Sequence, residues 1–181
     1  MTATEYVVLV DEQDGELGIA EKTVAHEKCL LHRAFSLFIF RDTPKRELLL
    51  QQRALHKYHS PGLWTNTCCS HPRPGETILA AGERRLKEEL GLTAALIDLG
   101  RFHYTTHFAN GLSENEIDHV LAGTVAADTL ILPNPNEIHT VRWVTIEELN
   151  QELDNAPDQF TAWLASALKI VTGSTFNLHR E

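Results

Sequence analysis

Glu88 and Glu89 are adjacent carboxylates near the end of a stretch, Glu76 to Leu90, whose apolar residues fall at 78, 79, 86 and 90. If that stretch is a helix closed by Gly91, both carboxylates sit where the macrodipole disfavours negative charge, and a bound cation would relieve them. The i,i+4 pairs Arg84–Glu88 and Arg85–Glu89 would do the same without any ligand. A second cluster, Cys68-Cys69-Ser70-His71, places two thiols on opposite faces of a strand, so only one can reach a substrate. A third, Glu114 and Glu116, puts two carboxylates on one face of an extended segment. With ten histidines, several of them near cysteine or glutamate, the chemistry to expect is metal binding or proton transfer. Three cysteines, Cys29, Cys68 and Cys69, are an odd number and a poor disulfide framework.

The elements that must position these groups read as a mixed α/β chain. Tyr6 to Val10 and Leu17 to Ala20 form a hairpin about Asp14-Gly15, and His32 to Phe40 and Leu48 to Gln52 are strands separated by a turn at Pro44. Arg53 to Pro61 reads as a polar loop, and the Pro72, Pro74 and Gly75 cluster breaks the chain before the helix from Glu76. Strand-like stretches follow near Gly100 to His107, Ile117 to Val125 and His139 to Val144. Thr145 and Glu148 make a capping box with Val144 and Leu149 as its staple, which starts a helix at Ile146, and a last helix covers Pro157 to Val171. Helices flanking a largely non-sequential sheet are expected.

At 181 residues the chain is read as a single domain over 1–181, large enough to bury a core without staples. With 43% hydrophobic and 23% charged residues it has the composition of an ordinary globular protein. The net charge of −9 argues against a nucleic-acid partner, and any anionic ligand must meet a local basic patch. The longest apolar runs, Val7 to Val10 and Leu37 to Phe40, fall far short of the ~20 residues of a membrane span. Asp11, Glu12 and Asp14 stand where a secretory signal would be apolar, so a cytoplasmic protein is expected.

From Ser70 to Leu92 the chain resembles the 23-residue Nudix box, Gly-x5-Glu-x7-Arg-Glu-U-x-Glu-Glu-x-Gly-U with U aliphatic. Glu76, Arg84, Leu86, Glu88, Glu89, Gly91 and Leu92 match, while Ser70 replaces the first Gly and Arg85 replaces the Glu after the motif's Arg. In Nudix hydrolases that Glu belongs to the metal-holding carboxylates. A guanidinium cannot ligate magnesium, but its fork and permanent charge suit a phosphate. Thr65-Asn66-Thr67-Cys68-Cys69-Ser70-His71-Pro72, Tyr104 and Ser113-Glu114-Asn115-Glu116, taken with the altered box, resemble the type I isopentenyl-diphosphate delta-isomerases, a Nudix-fold family.

The resemblance implies a Nudix-like α/β/α sandwich and isomerisation of isopentenyl diphosphate to dimethylallyl diphosphate for isoprenoid biosynthesis. That reaction protonates an alkene, passes through a tertiary carbocation and removes a proton from the neighbouring carbon. The family's Cys-x-His spacing selects Cys69 over Cys68, with Glu116 and Tyr104 as its catalytic partners. His26, His32, His71, Glu114 and Glu116 would hold one divalent metal, manganese, magnesium or zinc. A second metal, magnesium, would join the substrate diphosphate to Glu89 and the Cys69 carbonyl. Lys22, Arg53, Lys57 and Arg85 match the basic diphosphate contacts, and Trp163 would either cover the alkene or lie in the core. Two other readings stand beside this one. The box alone suggests a Nudix hydrolase of a nucleoside or other diphosphate, and a non-catalytic binding module would leave Cys69 without a role.

Overall fold

The computed structural model describes residues 4–177; His179, given no role above, lies outside them. The organising element is β3 (His32–Asp42), in which Ala34 through Phe40 are all buried, the signature of a strand covered on both faces. Its side chains divide by alternation. Phe35, Leu37 and Ile39 join one apolar cluster with Leu49, Leu86 and Leu90, while Phe38 and Phe40 join another with Leu48, Leu149, Leu164 and Leu168.

Along one edge β3 pairs in parallel with β8 (Ser113–Ala126), from His32 opposite Glu116 to Asp42 opposite Ala126. On the other edge it meets β1 (Tyr6–Val10), β6 (Cys68–Ser70) and β4 (Leu48–Arg53) in antiparallel register. The strand β2 (Glu16–Glu21) closes the expected hairpin on β1, β7 (Leu96–His107) pairs with β8, and β5 (Trp64–Thr65) and β9 (Ile138–Val144) flank β4. The result is a curled, mixed nine-stranded sheet with helices on both faces, the α/β sandwich expected.

Among the described residues there are four α-helices. The first, α1 (Lys22–Glu27), is too short and too polar to show a periodicity, and the sequence reading did not anticipate it. Helix α2 (Ile78–Leu90) starts two residues later than expected because Thr77 is its N-cap, accepting from the Ala80 amide; Gly91 ends it at φ 67°, in the left-handed conformation. Helix α3 (Ile146–Asn155) has the expected capping box at Thr145 and Glu148. The last helix begins later than expected. Pro157–Gln159 forms only a 3₁₀ turn, and α4 spans Leu164–Gly173. The intervening Phe160 bridges Trp64 and Thr161 donates its amide to the Trp64 carbonyl, which holds this stretch extended against the sheet edge. Among the described residues no helix is long and apolar enough to cross a membrane.

Candidate active site

Two strands on either side of β3 set the site. The short strand β6 places Cys69 opposite Ser36, with Cys68 turned into the apolar core and Cys69 toward a cavity of ≈ 550 Å³. On the opposite edge, β8 turns Glu114, Glu116 and Asp118 to that cavity by period-two alternation, and β7 brings Tyr104 into register with Glu116.

The thiol of Cys69 has a defined set of partners. Its S–H donates to Asn66 Oδ1 at 3.0 Å, and the Trp163 indole N–H donates to Sγ at 3.0 Å. The orientation of the Asn66 amide follows from its other bonds, since Nδ2 donates to the carbonyls of Leu37 and Cys68 and leaves Oδ1 facing the sulfur. Burial, reinforced by the Asp118 charge, pushes the Cys69 thiol up to about 12, against opposing hydrogen bonds from Thr65 and Trp163, so the group stands protonated at neutral pH.

Across the cavity, His26 from α1, His32 from β3, His71 and Glu116 place one donor atom each within 4.8 Å of one another. The geometry is that of a ligand set. His26 and His32 commit Nδ1–H to the carbonyls of Lys22 and Leu30, at 2.6 and 2.8 Å, which turns each Nε2 inward. The Nε2 atoms of His32 and His71 lie 3.2 Å apart, both beside Glu116 Oε1, and His26 Nε2 is buried with no partner at all. Burial holds His26 below the ordinary range and drives His71 down to about 3, against the Glu116 charge, so both rings are neutral. Three ring nitrogens converging beside a carboxyl group fit a divalent cation.

Glu114 stands beside this group. Its Oε1 lies 3.1 Å from His59 Nε2, and its other oxygen contacts the Tyr104 hydroxyl, which also reaches Glu116 Oε2 at 2.6 Å. One phenol proton cannot serve two carboxylates. Burial raises Glu114, helped by the Glu116 charge, whereas hydrogen bonds from His32 and His71 outweigh burial at Glu116 and hold it low.

The basic residues line the same cavity, Lys22, Arg53, Lys57 and Arg85 together with Glu89 and Trp163. Lys22 pairs with Glu5 at 2.8 Å and Lys57 with Glu137. Arg85, on α2, pairs with Glu88 at 3.0 Å, with Glu89 and with Glu137 at 3.5 Å, so the guanidinium in place of the box's carboxylate neutralises the two adjacent acids of the box. Arg53 has no carboxylate partner among the described residues; Nη2 donates to the His59 carbonyl and its guanidinium lies 5.8 Å from the Trp163 ring.

A family model for the NUDIX domain matches residues 30–164. The chain is 47% identical over 173 residues to isopentenyl-diphosphate Delta-isomerase of Aliivibrio fischeri strain MJ11, spanning 93% of this chain and 95% of that protein. It is 47% identical over 174 residues to the enzyme of the same name from Photobacterium profundum, spanning 94% and 96%. The chain belongs to the isopentenyl-diphosphate Delta-isomerase family. A crystal structure from Deinococcus radiodurans superposes with a TM-score of 0.72 at 23% identity, covering 91% of this chain and 98% of that one, a likeness of fold.

For a member of the isopentenyl-diphosphate Delta-isomerase family, the structure gathers the candidate catalytic, metal-holding and diphosphate-binding residues in and around one cavity, with His26, His32, His71 and Glu116 in one cluster and Glu114 joined to it through Tyr104. Sequence reasoning missed four neighbours. Ser36 donates to Asp118 Oδ2 at 2.7 Å and lies 3.8 Å from Cys69 Sγ; Asp118, pushed up by burial and the Glu116 charge, and Asn66 complete the surroundings of the thiol. His59, pushed down to about 3 by burial and the Arg53 charge, is the fourth. Signals for two of these were present: a lone Ser within the apolar run Ala34 to Phe40, and Asp118 continuing the alternation of Glu114 and Glu116. His59 sits in a loop with no pattern to mark it.

Proposed function

We propose that the protein interconverts isopentenyl diphosphate and dimethylallyl diphosphate by proton addition and removal at Cys69 and the Glu116–Tyr104 pair. The observation that carries this reading is one cavity faced by the Cys69 thiol from one strand and the Glu116 carboxyl group from another, β3 lying between them. Moving the double bond needs one proton delivered to the methylene carbon and one taken from the neighbouring carbon, with a tertiary carbocation between. Acid and base thus exchange one proton per turnover, and the reverse reaction starts from the exchanged state. A thiol and a carboxyl group facing one cavity, one carrying the proton and the other not, would meet that requirement in either direction.

Arg53, Lys57, Lys22 and Arg85 would grip the diphosphate, Arg85 through its fork, and would offset the chain's net charge locally. Glu89 and the Cys69 carbonyl would meet a magnesium carried by the diphosphate. His26, His32, His71 and Glu116, with Glu114 beside them, would hold manganese, magnesium or zinc. When bound there, the cation supplies positive charge that orients Glu116 and sets its protonation. The Trp163 ring borders Cys69 and Tyr104, with ring centroids 6.1 Å apart for the latter, where an aromatic face would stabilise a carbocation. The hydrolase alternative is not favoured, because Arg85 occupies the acids that hydrolysis would need. Incubation of the protein, manganese and magnesium with isopentenyl diphosphate tests the proposal. Dimethylallyl diphosphate without free phosphate is the expected product, and free phosphate would overturn it in favour of hydrolysis.

A further inference from the structure

Glu114 has two oxygens and both face donors: the Tyr104 hydroxyl on one side and, on the other, a histidine from a different part of the chain. That histidine, His59, belongs to the loop after β4. Its Nε2 lies 3.1 Å from Glu114 Oε1 while Nδ1 is buried with no partner, so the proton resides on Nε2 and points at the carboxyl group. The ring is 6% exposed. Packing fixes its plane. Phe108 stacks on it at 4.8 Å and 22°, and Tyr58 meets it edge-on at 4.6 Å and 77°. The loop is tied down on both sides of the ring, by Arg53 Nη2 donating to the His59 carbonyl at 3.2 Å and by Asn110 Nδ2 donating to the Tyr58 carbonyl at 2.7 Å. The second bond links the loop to the turn between β7 and β8, which immediately precedes Glu114 on β8.

We propose that His59 is a positioning residue of the metal centre, donating Nε2–H to Glu114 Oε1 and aiming that carboxylate at a cation held by His26, His32, His71 and Glu116. The inference rests on the reading of that cluster as a metal site and on Glu114 joining it. A ligating carboxylate is left free to rotate unless an outer group holds it, and loss of such a group weakens metal binding by roughly 10- to 100-fold. His59 holds Glu114 from the side opposite Tyr104.

The test is Mn²⁺ binding to metal-stripped protein, read by the loss of the free-ion EPR signal, for wild type, His59→Ala, His59→Gln and His71→Ala. His59→Ala is expected to weaken binding roughly 10- to 100-fold. His59→Gln, whose side-chain N–H can also reach Glu114, is expected to recover most of that loss. Turnover of His59→Ala, low at limiting Mn²⁺, should rise toward wild type at saturating Mn²⁺ with the substrate KM unchanged. Unaltered Mn²⁺ affinity in His59→Ala overturns the proposal. So does a loss as complete as that of His71→Ala with no recovery in His59→Gln, which would make His59 a ligand. If His71→Ala also binds Mn²⁺ normally, the metal centre itself falls, and the positioning role with it. A dependence on His59 in a protein that fails to isomerise isopentenyl diphosphate would leave the positioning role standing and defeat only the proposed activity.

Discussion

Arg85→Ala separates the two tasks assigned to this guanidinium, holding the box together and gripping a diphosphate. Arg85 faces Glu88, Glu89 and Glu137, and the Glu89 side chain is only 4% exposed. Truncation leaves Glu89 with the Gln51 Nε2 donor at 3.2 Å and the Cys68 thiol beside it. Stripping the partner from a fully buried pair costs about 3–5 kcal/mol, and because the Arg85 side chain is itself 18% exposed, a loss of about 2–3 kcal/mol is the appropriate scale. For a chain of this size that lowers Tm by roughly 4–12 °C. The lost charge-assisted bonds to phosphate should raise KM roughly 10- to 100-fold with a much smaller change in kcat. Arg85→Lys keeps the charge without the fork and should lie between wild type and Ala on both measures. Thermal unfolding followed by circular dichroism and steady-state kinetics with isopentenyl diphosphate give the two readings. A Tm within about 1 °C of wild type together with an unchanged KM would show Arg85 to be an ordinary surface charge.

Cys69→Ala should abolish isomerisation while leaving Mn²⁺ binding and Tm close to wild type, since the thiol lines the cavity and not the core; retention of turnover would remove Cys69 from the mechanism. His119 tests the electrostatics of the hairpin turn. It lies 2.9 Å from Asp14 and 2.8 Å from Asp98, and although burial alone would lower its pKa, these two carboxylates raise it above the ordinary 6.5. Its contribution is therefore complete below about pH 6.5 and fades as pH rises through the folded value. The stability gap between wild type and His119→Gln, from urea unfolding, should be larger at pH 5.5 than at pH 9, and a gap independent of pH would contradict this. Gly123→Ala examines the packing of β8. An added Cβ would lie 2.9 Å from the Ala95 carbonyl and 2.9 Å from Leu96 Cδ2, so a loss of about 1–3 kcal/mol is expected, and a neutral result would show that the segment before β7 yields freely.

The parts of the site legible in the sequence were those held by local geometry. Glu114 and Glu116 needed only the two-residue repeat of a strand, and the sidedness of Cys68 and Cys69 followed from the same rule. Helix α2 was readable from its apolar spacing and Gly91, with an error of two residues at its start, where Thr77 is the cap. Other features depend on distant pairing. The parallel register that sets His32 opposite Glu116 joins two strands far apart in the chain, and each shows only an apolar run that fits many partners. His26 was placed by resemblance alone because α1 is a six-residue helix without a side-chain cap. The expected helix from Pro157 failed for a tertiary reason, since the Thr161 amide is taken by the Trp64 carbonyl. His59 lay in a stretch without periodicity, and only the folded loop reveals its contact with Glu114.

Isomerisation in heavy water, followed by proton and phosphorus NMR with magnesium and manganese present, addresses the central claim most directly. Exchange of one proton between Cys69 and the Glu116–Tyr104 pair requires the dimethylallyl product to carry deuterium on the new methyl group while both phosphorus signals remain those of an intact diphosphate. Product without deuterium would contradict protonation from a solvent-exchangeable thiol or carboxyl group, and release of inorganic phosphate would show that the altered box still hydrolyses.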